Sequence, residues 1–211
     1  MEWLDEAAGP EAFDRLRRRV LWMMPSGLYL IGSRSGSRMN LMTANWVSQL
    51  ALQPKLVGVS LEVDSLTHSL VSEGGAFGIT LLSRTDRALV RRFAKPVPPD
   101  QVSGDATGGG LEIAGVRARL APSGVPVVES GLAWLDCTVT NSLGLGSHTL
   151  FVGEVTALGC GEPQEGEVHE GDGSRPESGP AALVETGAAG EPLVAEGGVL
   201  RMEDTRMHYG G

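Results

Sequence analysis

The stretch NLMTANWVSQLALQPKLVGVSLEVDSLTHSLV, residues 40–71, decides how this chain is read. It opens on small and polar residues around one tryptophan, Trp46, runs into an alternating strand and closes on serine, threonine and histidine. Within LVGVSLEV (56–63), Val57, Val59, Leu61 and Val63 share one face, and Gly58, Ser60 and Glu62 share the other, because successive strand side chains point to opposite sides. The second face is small near its start, which lets a ligand or another backbone come close. Thr43, Ala44 and Asn45 also present little side chain and much backbone, a surface suited to the polar edge of a flat ring. Ser65, Thr67 and His68 admit two readings. Hydroxyls and an imidazole close together can hold a phosphate without bulk positive charge. The same residues also read as the capped start of a short helix, with Asp64 or Ser65 as N-cap.

Outward from this stretch, GPEAFDRLRRRVLWMM (9–24) predicts a helix. Pro10 suits a first turn, and Phe13, Leu16, Val20 and Met23 recur at helical spacing. Arg15, Arg17, Arg18 and Arg19 read as its solvated face. GLYLIGS (27–33) predicts a strand, and RSGSR after it predicts a hairpin turn. AFGITLLS (76–83) predicts another strand, and RTDRALVRRFA (84–94) a helix. GLEIAGVRARL (110–120), LAWLDCTVT (132–140) and HTLFVGEVTAL (148–158) each predict one further strand. Strands dominate and long crossover helices are few, which predicts a closed or nearly closed antiparallel barrel and not a doubly wound sheet. The Gly-, Glu- and Pro-rich run at about 160–182 buries too little apolar surface to offset chain ordering, and is expected to be a mobile surface insertion. Strand character returns at 192–202, so the expected domain spans 27–202, with helical residues 1–26 packing on it and a tail at 203–211.

The 211 residues suffice for one sizeable core, and 41% are hydrophobic. A net charge of -9 argues against nucleic acid as a partner. Cys137 and Cys160 make neither a disulfide framework nor a zinc set, and the four histidines are scattered, so no metal site is expected. No signal peptide or membrane-spanning run is evident, giving a cytoplasmic default with no membrane partner. GSRSGSRMN lacks the GxxxxGK[ST] pattern, GLGSH (144–148) lacks GxGxxG, and no GxSxG occurs. By composition His148 reads as a surface or hydrogen-bonded structural histidine.

Three segments in this order resemble one family. They are residues 41–71, GAFGITLLSRTDRALVRRFA (75–94) and LAWLDCTVTNSLGLGSHTLFVGEVTAL (132–158), with a looser match at PLVAEGG (192–198). The family is that of flavin reductase-like proteins with an FMN-binding split barrel. It includes reductase components of two-component flavin monooxygenases and flavoredoxin-type proteins. The resemblance implies a mainly β fold with flanking helices, a six-stranded antiparallel Greek-key split barrel, and a homodimer with FMN near the interface. It implies a flavin-binding set. Residues 42–48, including Met42, Thr43, Ala44, Asn45, Trp46 and Ser48, line the ring. Ser60, Ser65, Thr67 and His68 approach the ribityl chain and phosphate, and Thr80 and Ser83 lie on the strand passing the flavin. It places His148 beside the flavin face and the nicotinamide site, as the catalytic candidate. The implied activity is hydride transfer from NAD(P)H to FMN, or alternatively FAD, with electrons passing to free flavin, an oxygenase partner or another acceptor. The alternative is a flavoredoxin-like carrier, or a non-catalytic split barrel binding flavin or, with no evident axial ligands, haem. Two expectations are specific enough to fail: Trp46 belongs to the barrel core, and a bulky residue at Ala44 blocks flavin while the barrel still folds. The chain departs from the family pattern at Lys55, where a second proline is common, at Thr80 in place of Asn, and at Ser147 in place of Asp.

Overall fold

The computed structural model describes residues 5–7, 9–104, 110–160 and 198–205. Its main body is a seven-stranded antiparallel sheet. The strands are β1 (Tyr29–Ser35), β2 (Arg38–Ala44), β3 (Val47–Ala51), β4 (Leu56–Glu62), β5 (Ala76–Leu81), β10 (Ala133–Gly144) and β11 (His148–Cys160). They lie in the order β2-β1-β5-β10-β11-β4-β3. The two edges of this ladder, β2 and β3, are consecutive in the chain and separated only by Asn45 and Trp46. A separate four-stranded sheet joins β6 (Val102–Ser103), β7 (Leu111–Ile113), β8 (Val116–Leu120) and β9 (Pro126–Val128).

The mainly β, antiparallel expectation therefore holds; by strand pairing the described residues form one seven-stranded and one four-stranded sheet. The expected turn at RSGSR is the two-residue β1–β2 hairpin, Ser35 facing Arg38 across Gly36 and Ser37. Residues 110–120 form a hairpin and not one strand. Ala114 and Gly115 both take positive φ, 50° and 72°, the geometry of a two-residue turn that suits the twist of paired strands.

One core fills the concave side of the large sheet, with Ile31, Val59, Leu61, Phe77, Ile79 and Phe151 at its centre. A second lies on the other side, under the small sheet and α3 (Arg87–Arg92), around Leu28, Leu30, Leu82, Phe93 and Leu200. The small sheet reaches the large one at two glycines facing each other, Gly32 and Gly78. A Cβ on Gly32 would sit 1.7 Å from the Pro126 carbonyl oxygen, so β9 crosses there only because no side chain is present. Leu200 is fully buried, its N–H donating to the Leu82 carbonyl at 2.8 Å and its carbonyl accepting from the Leu28 N–H at 3.0 Å, while Gly27 bridges Arg201 and Ser83 bridges Val199.

Helix α2 (Leu66–Gly74) follows β4. Ser65 is its N-cap, accepting from the His68 N–H at 3.1 Å, and Gly75 ends it in the left-handed conformation. Helix α1 (Pro10–Leu21) forms where the periodicity predicts it but buries none of its residues; Leu16 and Val20 are about half exposed, at 46% and 52%. Gly159 and Cys160 belong to β11, and the rest of the expected acidic insertion lies outside the described residues, as do residues 206–211 of the expected tail. No helix among the described residues is long and apolar enough to cross a membrane.

Candidate functional site

The kink between β2 and β3 organises the site. Before it, side chains alternate between the two cores: Met42 and Ala44 face the concave interior, while Thr43 faces α3. Thr43 donates its hydroxyl to the Val90 carbonyl at 2.9 Å and its N–H to the Phe93 carbonyl at 2.9 Å. Its side chain thus ties β2 to α3. Ala44 is 8% exposed, so a bulky residue there would crowd the interior as well as any ligand on that segment.

Past the kink the chain turns outward. Trp46 is 46% exposed, which corrects the expectation that it belongs to the core. The two intervening residues break the alternation, and the indole lies instead against His148, ring centroids 4.7 Å apart at 56°. The Trp46 carbonyl accepts from the Ser60 N–H at 3.0 Å, which fixes the kink to the end of β4. Asn45, half-buried at the same point, has no hydrogen-bond partner among the described residues.

His148 begins β11 directly opposite Glu62. The GLGSH turn sets it there: Gly146 takes φ 79°, the Leu145 N–H donates to the His148 carbonyl at 2.7 Å, and the Val63 N–H donates to the Ser147 carbonyl at 3.1 Å. Ser147 Oγ lies 2.9 Å from His148 Nδ1, which orients the ring and leaves Nε2 to meet a ligand. Ser60 and Glu62 share the outer face of β4 with this pair, as their register with Leu150 and His148 requires. Ser48 lies on β3 opposite Gly58 and, with Val47, lines the near end of an open apolar cavity that runs on down the strand.

The remaining candidates are held by partners within the chain. Ser65 caps α2. Thr67 is fully buried and accepts from Asn40 Nδ2 at 2.8 Å, while Asn40 Oδ1 accepts from the Val97 N–H at 3.0 Å. His68 Nε2 shares a hydrogen bond with Thr149 Oγ1 at 2.9 Å, and its ring meets Phe151 edge-on at 5.2 Å. Thr80 accepts from the Val128 N–H at 3.1 Å on the small-sheet side, and Ser83 Oγ accepts from the Thr85 hydroxyl at 3.0 Å. The structure thus gathers Asn45, Trp46, Ser60 and His148 at one place and puts Thr43, Thr67, Thr80 and Ser83 to structural use. Glu62, which sequence reasoning left out, joins the first group; its signal was its place at the end of the alternating face of β4. Burial, with Asp136 as a lesser contributor, pushes the Cys137 thiol up to about 12, which removes it as a nucleophile.

A bent antiparallel sheet carrying an aromatic ledge beside an amide without a partner among the described residues defines a mainly β protein suited to holding a flat heteroaromatic ring. The chain belongs to the flavin reductase like domain family, whose model matches residues 21–191. It is 31% identical over 123 residues to the NADH-dependent flavin reductase StyB of Pseudomonas fluorescens, covering 58% of this chain and 63% of the relative. It is 30% identical over 151 residues to a high molecular weight rubredoxin of Moorella thermoacetica, covering 69% and 62%. The chain therefore spans under two-thirds of these curated relatives, and about a quarter of longer diflavin flavoproteins it also matches. Among solved structures, the NADH:FAD oxidoreductase SgcE6 of Streptomyces globisporus C-1027 superposes with a TM-score of 0.60 at 27% identity, covering 76% of this chain and 87% of that one.

Proposed function

We propose that this chain is a flavin-binding oxidoreductase of the flavin reductase type, taking hydride from NAD(P)H and passing electrons to free flavin, a partner oxygenase or another acceptor. The observation that carries the reading is the Trp46–His148 ledge at the β2–β3 kink, beside the unpaired Asn45. The donor set fits a flavin: an exposed indole offers a stacking face, and an unpaired peptide and carboxamide offer hydrogen bonds to the polar edge of the ring. A bound flavin supplies the hydride-accepting ring; the protein's part is to position it and to shield one face. Asn45 and Ser60 orient the ring edge, Trp46 covers a face, and His148, held by Ser147, shapes the neighbouring nicotinamide pocket. Hydride transfer requires no protein acid or base, so neither His148 nor Glu62 has to move a proton in that step.

The finer architecture follows from the same kink. β2 and β3 act as one bent strand, paired to β1 in its first half and to β4 in its second, so that the seven-stranded ladder closes as a six-stranded split barrel. The outer face past the kink exposes Leu50, Leu143 and Leu145 at 46%, 56% and 54%, and we assign it to a homodimer interface with FMN, in preference to FAD, beside it. The relatives' names, one NADH-dependent and one acting on FAD, support nicotinamide and flavin use. The test is anaerobic mixing of FMN-loaded protein with NADH and NADPH. Loss of the oxidised-flavin absorbance supports the reductase; a protein that retains FMN but is inert to both nicotinamides is a carrier, and one that retains no flavin contradicts the reading.

A further inference from the structure

The interior of the large sheet is filled unevenly. At the α2 end, Phe77 and Phe151 are buried with Val71 and Leu61, and Phe77 packs against Gly153. At the opposite end the aromatic lining is the half-buried Tyr29, and an open cavity of about 330 Å³ remains. Its walls are aliphatic: Val57, Ile79, Leu81, Leu135 and Val155. Its rim carries Tyr29, Gln49 and Lys55. None of these three side chains has a hydrogen-bond or ion-pair partner among the described residues. Leu158, at the same rim, is 65% exposed.

We propose that this mouth is a second ligand site, for a small aromatic acid. An apolar cavity of ~150 Å³ is enough to admit benzene, so the volume here takes one ring with substituents. Aliphatic walls on several sides give such a ring dispersion contacts without demanding hydrogen bonds. Of the polar lining residues Tyr29, Ser48, Gln49 and Lys55, the last three are exposed, so the ligand's polar group must lie at the open end. Lys55 sets its sign: in a chain of net charge -9, an unpaired ammonium at the lip of an apolar cavity favours a carboxylate or phenolate over a cation. Burial raises the Tyr29 hydroxyl above its ordinary value, so at neutral pH it remains a donor and does not repel the anion.

The mouth adjoins the proposed flavin site at Val47 and Ser48, which follow the kink directly, and extends away from it along β3 and β4. On the β4–β11 ladder, the His148–Glu62 pair and the Glu154–Leu56 pair lie six residues apart, about 20 Å at ~3.3 Å per residue. The two places are joined by β3 and β4, which carry Ser48 and Ser60, so an occupant of the mouth presses on the strands that shape the kink. The inference does not depend on flavin chemistry.

The experiment uses the full chain saturated with FMN, with benzoate as the anionic probe and benzyl alcohol as the neutral one, titrated calorimetrically. Both probes are expected to bind saturably, benzoate more tightly. Lys55→Met should weaken benzoate about fivefold, the scale of one partly exposed charge contact, and leave benzyl alcohol unchanged. Leu158→Trp, at an exposed position that leaves the fold intact, should abolish both by filling the mouth. Absence of saturable benzoate binding overturns the proposal. So does benzoate binding that neither variant alters, or binding that occurs only when FMN is omitted, which assigns the probe to the flavin site instead.

Discussion

Residues 38–44 and 47–51 are two halves of one bent run, and they behave oppositely. In β2, Leu41, Thr43 and Ala44 are all buried, at 0%, 5% and 8%, and each is committed to a core or to α3. In β3, Ser48 and Gln49 are exposed, and Leu50 is 46% exposed. The same small, polar composition serves packing on one side of Asn45 and Trp46 and presents a surface on the other. Small residues therefore mark close approach without saying whether backbone, helix or ligand does the approaching. The two histidines repeat the contrast. His68 is fixed between Thr149 and Phe151, whereas His148 is anchored through Ser147 at one ring nitrogen only.

The largest effect should come from the buried half. Ala44→Phe overpacks the interior and should destabilise the fold by about 1–3 kcal/mol in urea unfolding. An unchanged unfolding midpoint would place Ala44 on the ligand surface after all. Across the kink, Trp46→Ala should leave that midpoint nearly unchanged but weaken FMN about tenfold, since an aromatic pair contributes about 0.5–1.5 kcal/mol. Equal losses of stability at the two positions would erase the distinction between the halves. His148→Ala should slow flavin reduction by NADH while retaining most FMN affinity, whereas His68→Ala should lower stability first; the reverse assignment would exchange their roles. Ser65→Ala removes the cap of α2 and should cost about 1 kcal/mol of stability. A tenfold loss of FMN affinity in that variant, with stability intact, would restore Ser65 as a phosphate ligand. The smallest effect concerns thiols: at pH 8, Cys160, exposed, should react promptly with a disulfide reagent, and Cys137, its thiol raised to about 12 by burial, only on unfolding.

Much of this was legible in the residues. The alternation at 56–63 located β4 and its buried face, with Val57, Val59 and Leu61 inside. The apolar spacing located α1, and Ser65 marked the start of α2. β2 and β3 were not legible as strands, because their polar residues include ones buried against a second element, such as Thr43 on α3, so the period-2 signal is hidden. The hairpin at 111–120 was missed because its turn uses alanine at positive φ, where glycine or asparagine is the usual sign. At the site, His148, Ser60 and Thr80 were identified through resemblance, while Thr67 was drawn in by a hydroxyl; the fold uses the Thr67 and Thr80 hydroxyls internally. Local sequence does not distinguish a hydroxyl aimed at a ligand from one aimed at Asn40; that depends on contacts 27 residues away.

The central claim is that a flavin lies on the Trp46–His148 ledge at the kink. FMN titration followed by flavin fluorescence, in the wild-type chain and in Trp46→Ala, tests it most directly. The account predicts saturable binding with strong quenching by the indole, and both weaker binding and reduced quenching in the variant. Equal affinity and equal quenching in the two proteins would contradict it.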